Sequence, residues 1–91
     1  MLKTLHCLIS GRVQGVNFRS WTKSQAEKFG LTGWVRNLPD GKVEVQAQGD
    51  EQVLSSFREE LNRGPTASRV DNLECRFVDE DQEYTNFDVT F

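Results

Sequence analysis

The segment spanning residues 11–19 constrains the fold most, because the spacing of apolar residues changes across it. Before it, over residues 5–9, apolar side chains recur at every second position, the period of a β-strand, and Ser10-Gly11 closes that strand. After it, apolar residues recur at helical intervals over residues 18–29, and Gly30 suits the left-handed conformation that often ends a helix. The chain therefore begins with a strand, a turn and a helix.

The next pattern predicts two strands joined by a hairpin. Residues 31–38 form the second strand, and Pro39-Asp40-Gly41 combines a fixed φ, a turn former and a glycine tolerant of positive φ. Residues 43–49 form the third strand, in which apolar and polar residues alternate. This alternation predicts one buried and one solvated face, and the solvated face carries Glu44, Gln46 and Gln48.

A second helix and two further strands complete the pattern. Asp50 is a favourable N-cap, an apolar stripe follows at helical spacing, and Gly64-Pro65 ends the helix. The stripe consists of Val53, Leu54, Phe57 and Leu61. The fourth strand contains residues 73–77 and the last contains residues 87–91, with an acidic, solvated loop expected over residues 79–83.

The order of these elements is β-α-β-β-α-β with an extra terminal strand. It predicts the ferredoxin-like split β-α-β arrangement of the α+β class, with both helices on one face of a mostly antiparallel sheet. The 91 residues suit one domain, 1–91. This architecture occurs in enzymes, RNA binders and sensors, so the fold alone does not specify a function.

Charge and hydropathy argue against nucleic-acid binding and membrane association. The net charge is −3, so the overall field repels polyanions, and we expect no nucleic-acid partner. No apolar run approaches the roughly 18 residues of a membrane span, so we expect no membrane association and a cytoplasmic location. The acidic loop lacks the ordered spacing and turn glycine of a calcium site, and we expect no metal or cofactor.

The two cysteines, Cys7 and Cys75, both lie in apolar alternations of predicted strands. Their number and separation exclude a metal cluster and a disulfide-rich scaffold. Because free cysteines are commonly buried, the pattern favours two buried thiols. A bridge is the alternative, and it requires that the first and fourth strands be neighbours.

The turn before the first helix has the features of an anion site. Gly11 and Gly15 allow the backbone to fold back with N–H groups pointing inward, and the helix N-terminus offers further unpaired N–H groups. Arg19, in the first helical turn, carries a planar fork that can clamp two phosphoryl oxygens. The spacing and lysine of the nucleotide P-loop are missing. From these features alone, an ordinary tight turn with a solvated arginine is the alternative.

Two long motifs resemble the signatures of the acylphosphatase family. They are Gly11-Arg12-Val13-Gln14-Gly15-Val16-Asn17-Phe18-Arg19 and Gly33-Trp34-Val35-Arg36-Asn37-Leu38-Pro39-Asp40-Gly41. The likeness continues in the family's order over nearly all of the chain. It implies a ferredoxin-like fold and hydrolysis of the carboxyl-phosphate bond of small acyl phosphates. We expect inorganic phosphate or another small anion to bind the same loop, and we expect a monomer.

The resemblance also implies roles for individual residues. Arg19 matches the family's phosphate-binding arginine, and Asn37 matches the asparagine that holds the attacking water. The backbone donors of the loop match Gln14, Gly15, Val16, Asn17 and Phe18. The family often has glycine or another residue at the position of Asn17, which can alter substrate preference. Without this likeness, Asn37 is simply a turn residue.

The residue chemistry is compatible with that reaction. Phosphoryl transfer depends mainly on positioning and charge neutralisation, which Arg19 and the loop supply. The leaving carboxylate has a pKa of roughly 4, so it departs without a general acid. His6, the one histidine, is expected to be structural, and a cysteine or phosphohistidine mechanism is disfavoured. The sequence does not settle whether Arg19 approaches Asn37.

Two other functions remain as alternatives. A single-stranded RNA binder of this fold needs an aromatic, basic central strand, whereas the third strand here presents Glu44, Gln46 and Gln48. A non-catalytic sensor of acyl or carbamoyl phosphate keeps the anion site without turnover. We expect Trp21 and Trp34 to be packing residues, and Arg12 and Arg36 rank below Arg19 as anion ligands.

Overall fold

The computed structural model describes residues 2–91 and contains two helices and five strands. In chain order they are β1 (Lys3–Arg12), α1 (Phe18–Lys28), β2 (Thr32–Asn37), β3 (Val43–Gly49), α2 (Glu51–Arg63), β4 (Arg69–Val78) and β5 (Phe87–Thr90). This is the order that the sequence predicts. Across residues 2–91, neither helix has the length and apolar character that a membrane-spanning helix requires.

The strands form one sheet in the order β4-β1-β3-β2-β5. β1 and β2 each pair antiparallel with β3, which lies between them, so the two β-α-β crossovers are split as predicted. The ferredoxin-like α+β fold is confirmed. The position of β5 was not predicted: it pairs parallel with β2 at the sheet edge, with Arg36 opposite Thr90.

The core lies between the two helices and one face of the sheet. Its largest fully buried side chains include Ile9, Phe18, Leu54, Phe57 and Leu61. The ring of Phe57 packs edge-on against Phe29 at 6.2 Å and against Phe87 at 6.4 Å between centroids. These aromatic contacts connect α2 with the end of α1 and with β5, and edge-to-face pairs add about 0.5–1.5 kcal/mol to simple burial.

β1 continues through its predicted end at Ser10-Gly11 and stops at Arg12. The pairing with β4 shifts register between Ser10 and Gly11, which is a β-bulge. Gly11 has φ +126°, and a Cβ there would overlap the carbonyl oxygen of Arg69. Gly11 is therefore required for close approach of β4, and it belongs to the strand rather than to the turn predicted as an anion cradle.

Cys7 and Cys75 form a disulfide, so the prediction of two free buried thiols is wrong. The two residues are direct partners in the antiparallel pairing of β1 with β4, with their Cα atoms 4.1 Å apart. The strands are neighbours because the split topology places β4 at the edge beside β1. The alternative of a bridge, which required the first and fourth strands to be neighbours, is thus the correct one.

The Cys7–Cys75 bridge is expected to stabilise the fold without contributing to the chemistry. Cys75→Ser should lower the free energy of unfolding by about 2–4 kcal/mol, because the cross-link restricts the unfolded chain. The bridge does not border the pocket described below, so turnover at 25 °C should stay at the wild-type value. Chemical denaturation of the variant and of thiol-reduced wild type measures the effect. Equal stability of oxidised and reduced protein would contradict it.

The sheet face opposite the helices is partly covered, contrary to the predicted solvated face. Gln48 is only 2% exposed. Its amide donates to Thr4 Oγ1 and to the Gln82 carbonyl, and its own oxygen accepts from the Tyr84 backbone N–H. The acidic side chains of residues 79–83 are exposed, as expected, but the loop that carries them is bonded to the sheet at Gln82 and Tyr84. Gln48 is buried because every polar group of its amide finds a partner.

Candidate active site

A pocket of about 320 Å³ lies where β1 leads into α1 and where β2 ends. It is lined by Val13, Gly15, Asn17, Phe18, Arg19, Ser20, Asn37, Val89 and Phe91. Because β1 and β2 both run antiparallel to β3, they are parallel to each other. Their carboxyl ends therefore lie at the same end of the sheet, and this brings Arg19 and Asn37 into the same pocket.

The turn from β1 to α1 is held at both ends by buried apolar side chains. Val13 and Phe18 are each 1% exposed, whereas Gly15 and Asn17 between them are exposed. Gly15 has φ +75° and Asn17 has φ +63°, a left-handed conformation that glycine and asparagine adopt most readily. The residue types thus suit a tightly folded backbone anchored in the core.

The N-terminus of α1 faces the pocket through Phe18, Arg19 and Ser20. Its N-cap, Asn17, makes no side-chain capping bond, and the first turn carries no acidic residue. The first N–H groups of a helix lack partners within the helix, and the helix dipole places partial positive charge there. This end of α1 is therefore suited to an anion.

The Arg19 guanidinium is held by the end of β5. Its Nη1 donates to the Thr90 carbonyl at 3.3 Å, and its Cζ lies 4.7 Å from the centroid of the Phe91 ring. Arg19 is half-buried and forms no ion pair with an acidic side chain of residues 2–91. Its positive charge is thus not neutralised by a carboxylate in the pocket.

Asn37 is the last residue of β2. Its Oδ1 is buried and makes no hydrogen bond to any residue in the part of the chain that the structure describes. A buried polar atom without a partner costs about 1–3 kcal/mol, so such atoms are rare in folded proteins. The position of this amide in the pocket fits a group that binds water or substrate.

Gln14 and Val16, also predicted as loop donors, do not line the pocket. Val16 packs against the core. The Gln14 amide donates to the Leu38 carbonyl at 2.8 Å and to the Lys42 carbonyl at 2.9 Å. It therefore connects the turn before α1 with the β2–β3 hairpin, which follows Asn37. This side-chain role was not predicted from the sequence.

Gln14→Ala is expected to loosen this connection. Two partly buried hydrogen bonds of about 0.5–1.5 kcal/mol each are lost, so the free energy of unfolding should fall by about 1–3 kcal/mol. Chemical denaturation measures it, and Gln52→Ala is the matched control because Gln52 is exposed on α2. A Gln14→Ala variant as stable as Gln52→Ala would show that the two bonds contribute nothing.

Four lining residues were missed in the sequence: Val13, Ser20, Val89 and Phe91. Val13 and Ser20 directly precede and follow the predicted site residues 14–19, so the first motif could have indicated them. Val89 and Phe91 were assigned to the last strand, but the apolar alternation gives no information on which strand it pairs with. Only the parallel pairing with β2 brings the end of β5 to the pocket.

The other charged candidates lie on the sheet face away from the helices. Arg36 binds Glu44 and lies 5.1 Å from the Trp34 ring centroid. His6 Nε2 also pairs with Glu44, at 2.7 Å. Burial alone would raise the pKa of the Glu44 carboxyl, but hydrogen bonds from His6 and Arg36 outweigh it, so this pKa lies below its usual value. These side chains form a structural cluster outside the pocket.

Neither Arg12 nor the predicted packing residue Trp21 lines the pocket. Trp21 packs against the ring of Phe18 with centroids 5.4 Å apart, and Arg12 is exposed at the end of β1. Within residues 2–91, no group of three or more His, Cys, Asp or Glu side chains is placed to hold a metal ion.

Comparison with known proteins agrees with this architecture. The family model for acylphosphatases matches residues 5–89. An acylphosphatase from Marinobacter nauticus is 45% identical over 85 residues, covering 93% of this chain and 92% of that protein. The crystal structure of acylphosphatase from Bacillus subtilis has a TM-score of 0.94 at 35% identity and covers 100% of both chains. An acylphosphatase structure from Coxiella burnetii has a TM-score of 0.93 at 36% identity, covering 98% of this chain and 93% of that one.

A split β-α-β sheet with a pocket at one edge, together with these relatives, defines a ferredoxin-like enzyme of the hydrolase class. More specifically, the chain belongs to the acylphosphatase family. The resemblance carried by the two sequence motifs is thereby confirmed.

Proposed function

We propose that this protein hydrolyses small acyl phosphates to a carboxylate and inorganic phosphate, with Arg19 and Asn37 as its catalytic residues. The observation that carries the proposal is the meeting of Arg19, Asn37 and the N-terminus of α1 in one pocket. Arg19 and the backbone around Gly15, Asn17 and Phe18 bind the phosphoryl oxygens. Asn37 holds the water that attacks phosphorus.

The reaction proceeds in one displacement without a covalent intermediate. The water oxygen bonds to phosphorus while the bond from phosphorus to the acyl oxygen breaks, and the electron pair leaves with the carboxylate. The water's proton passes to a phosphoryl oxygen of the substrate. The Asn37 amide can accept one hydrogen bond and donate another, so it can orient the water without taking its proton. Positioning and charge stabilisation carry the catalysis.

The pocket lining supports a mechanism without a protein acid or base. Among the residues of 2–91 that line it, Arg19 carries the only ionisable side chain. A carboxylate leaving group needs no proton, because its conjugate acid has a pKa of roughly 4. Phosphate esters with alkoxide leaving groups need one. Acyl phosphates are therefore the substrate class that this pocket suits.

Hydrolysis of a chromogenic acyl phosphate by the purified protein tests the proposal. We expect turnover that inorganic phosphate inhibits competitively, with no dependence on an added metal ion. A sensor of acyl or carbamoyl phosphate would bind phosphate with no turnover, and this result would replace the enzymatic function by the alternative.

The remaining partner and location assignments stay predictions. A small acyl phosphate as the substrate fits the family, and the bonded Gln46, Gln48 and Tyr84 restrict the face on which an RNA binder would stack bases. The monomeric state and the absence of membrane and nucleic-acid partners rest on sequence alone. The Cys7–Cys75 bridge weighs against the predicted cytoplasmic location, because disulfides are rare in the cytosol.

A further inference from the structure

The ring of Phe91 is nearly fully exposed, yet it has a defined contact. It is 97% exposed, so it contributes little to the hydrophobic core. Its face lies against the Arg19 guanidinium, with 4.7 Å between the ring centroid and Cζ. The preceding residue, Thr90, accepts a hydrogen bond from Arg19 Nη1 through its carbonyl. The end of the chain at β5 therefore contacts the Arg19 guanidinium in two ways, through the Phe91 ring and through the Thr90 carbonyl.

We propose that Phe91, together with the Thr90 carbonyl, is a positioning residue that orients Arg19 for binding the phosphoryl group. The proposal rests on the function proposed above, in which Arg19 is the phosphate ligand. A guanidinium has five N–H donors in its plane. Thr90 accepts from one of them, and the Phe91 ring beneath Cζ offers no oxygen or nitrogen acceptor to the others. Other in-plane donors stay available for two phosphoryl oxygens.

The same strand end also borders Asn37. β5 pairs parallel with β2, and the last matched pair is Arg36 with Thr90. Asn37 and Phe91 each follow by one residue, and both line the pocket. β5 thus fixes the position of the Arg19 guanidinium relative to β2, the strand that carries Asn37.

Preorganisation explains why such a contact affects function. An arginine side chain has several rotatable bonds, and fixing it on binding costs conformational entropy. A ring and a carbonyl that hold it beforehand reduce this cost at the moment phosphate binds. A cation–π contact at an exposed site corresponds to about a two- to fivefold change in an equilibrium constant.

The test compares Phe91→Leu, which removes the aromatic face, with Phe91→Tyr, which keeps it. We expect Phe91→Leu to raise the dissociation constant for inorganic phosphate about two- to fivefold and to lower kcat/KM for an acyl phosphate at least as much. Phe91→Tyr should restore both values. The free energy of unfolding should not change, because Phe91 is exposed. Phe77→Leu is the matched control, since Phe77 is 49% exposed on β4 and lies outside the pocket.

A double-mutant cycle shows whether Phe91 acts through Arg19. In an Arg19→Gln background, Phe91→Leu should have no further effect on phosphate binding. An equal loss in both backgrounds would overturn the proposal, as would wild-type phosphate affinity in Phe91→Leu or failure of Phe91→Tyr to restore it. In each of these cases, weaker binding by Arg19→Gln alone would leave the proposed function standing. Wild-type phosphate binding by Arg19→Gln would overturn both.

Discussion

Arg19→Gln is expected to lower kcat/KM for an acyl phosphate by about two to three orders of magnitude, the usual effect of removing a preorganised charge-stabilising donor. Phosphate affinity should fall in parallel, because the guanidinium interacts with the phosphoryl oxygens both in the bound state and in the transition state. Glutamine retains the polarity and much of the side-chain length. The loss therefore reports the positive charge and the forked geometry.

Steady-state kinetics with a chromogenic acyl phosphate and calorimetry with inorganic phosphate measure these two effects. Arg12→Gln is the matched control, since Arg12 is exposed at the end of β1 and does not line the pocket. It should keep wild-type kinetics. If the two variants lost activity equally, a general effect of positive charge would replace the specific role of Arg19.

Asn37→Ala is expected to lower kcat by about two orders of magnitude while phosphate affinity is largely kept, because the amide acts on the water and not on the phosphoryl group. The variant should fold at least as stably as wild type. The buried Oδ1 makes no hydrogen bond within residues 2–91, so its removal leaves no protein group unpaired. A purely structural turn residue would show the opposite pattern, with lost stability and retained turnover.

Single-turnover kinetics, phosphate titration and denaturation together distinguish these two patterns. Asn62→Ala provides the control, because Asn62 is an exposed residue of α2. A wild-type kcat for Asn37→Ala would rule out the water-holding role. A large rise in the phosphate dissociation constant would move Asn37 to the set of phosphate ligands.

Local periodicity predicted every helix and strand found within residues 2–91, because each element buries one face and its apolar residues repeat at the period of that element. It failed where pairing between distant segments decides the outcome. The end of β1 was placed at Ser10-Gly11 because glycine commonly interrupts strands, whereas here Gly11 allows β4 to pass closely. The neighbour of β5 depends on which edge of the sheet is available, and no local pattern records this.

For the candidate site, too, the sequence predicted individual residues but not the contacts between distant segments. The motifs predicted Arg19 and Asn37, but their proximity depends on the parallel relation of β1 and β2, which follows only when both are paired with β3. The side-chain bonds of Gln14 and the burial of Gln48 depend on a hairpin and a loop that are distant in sequence. The cysteine prediction failed for the same reason, since the bridge requires β1 and β4 to be neighbours.

The disulfide also affects how the chain reaches this sheet. It joins residues 68 positions apart, and contacts between such distant segments slow folding because closing a long loop costs entropy. In the oxidised chain that loop is closed before folding begins, and Cys7 already faces Cys75 in the native register. A slip of one residue would turn the core side chains of β1 to the opposite face, so the bridge also limits misregistered pairing. The oxidised chain therefore starts to fold with one residue of β1 already joined to its native partner in β4.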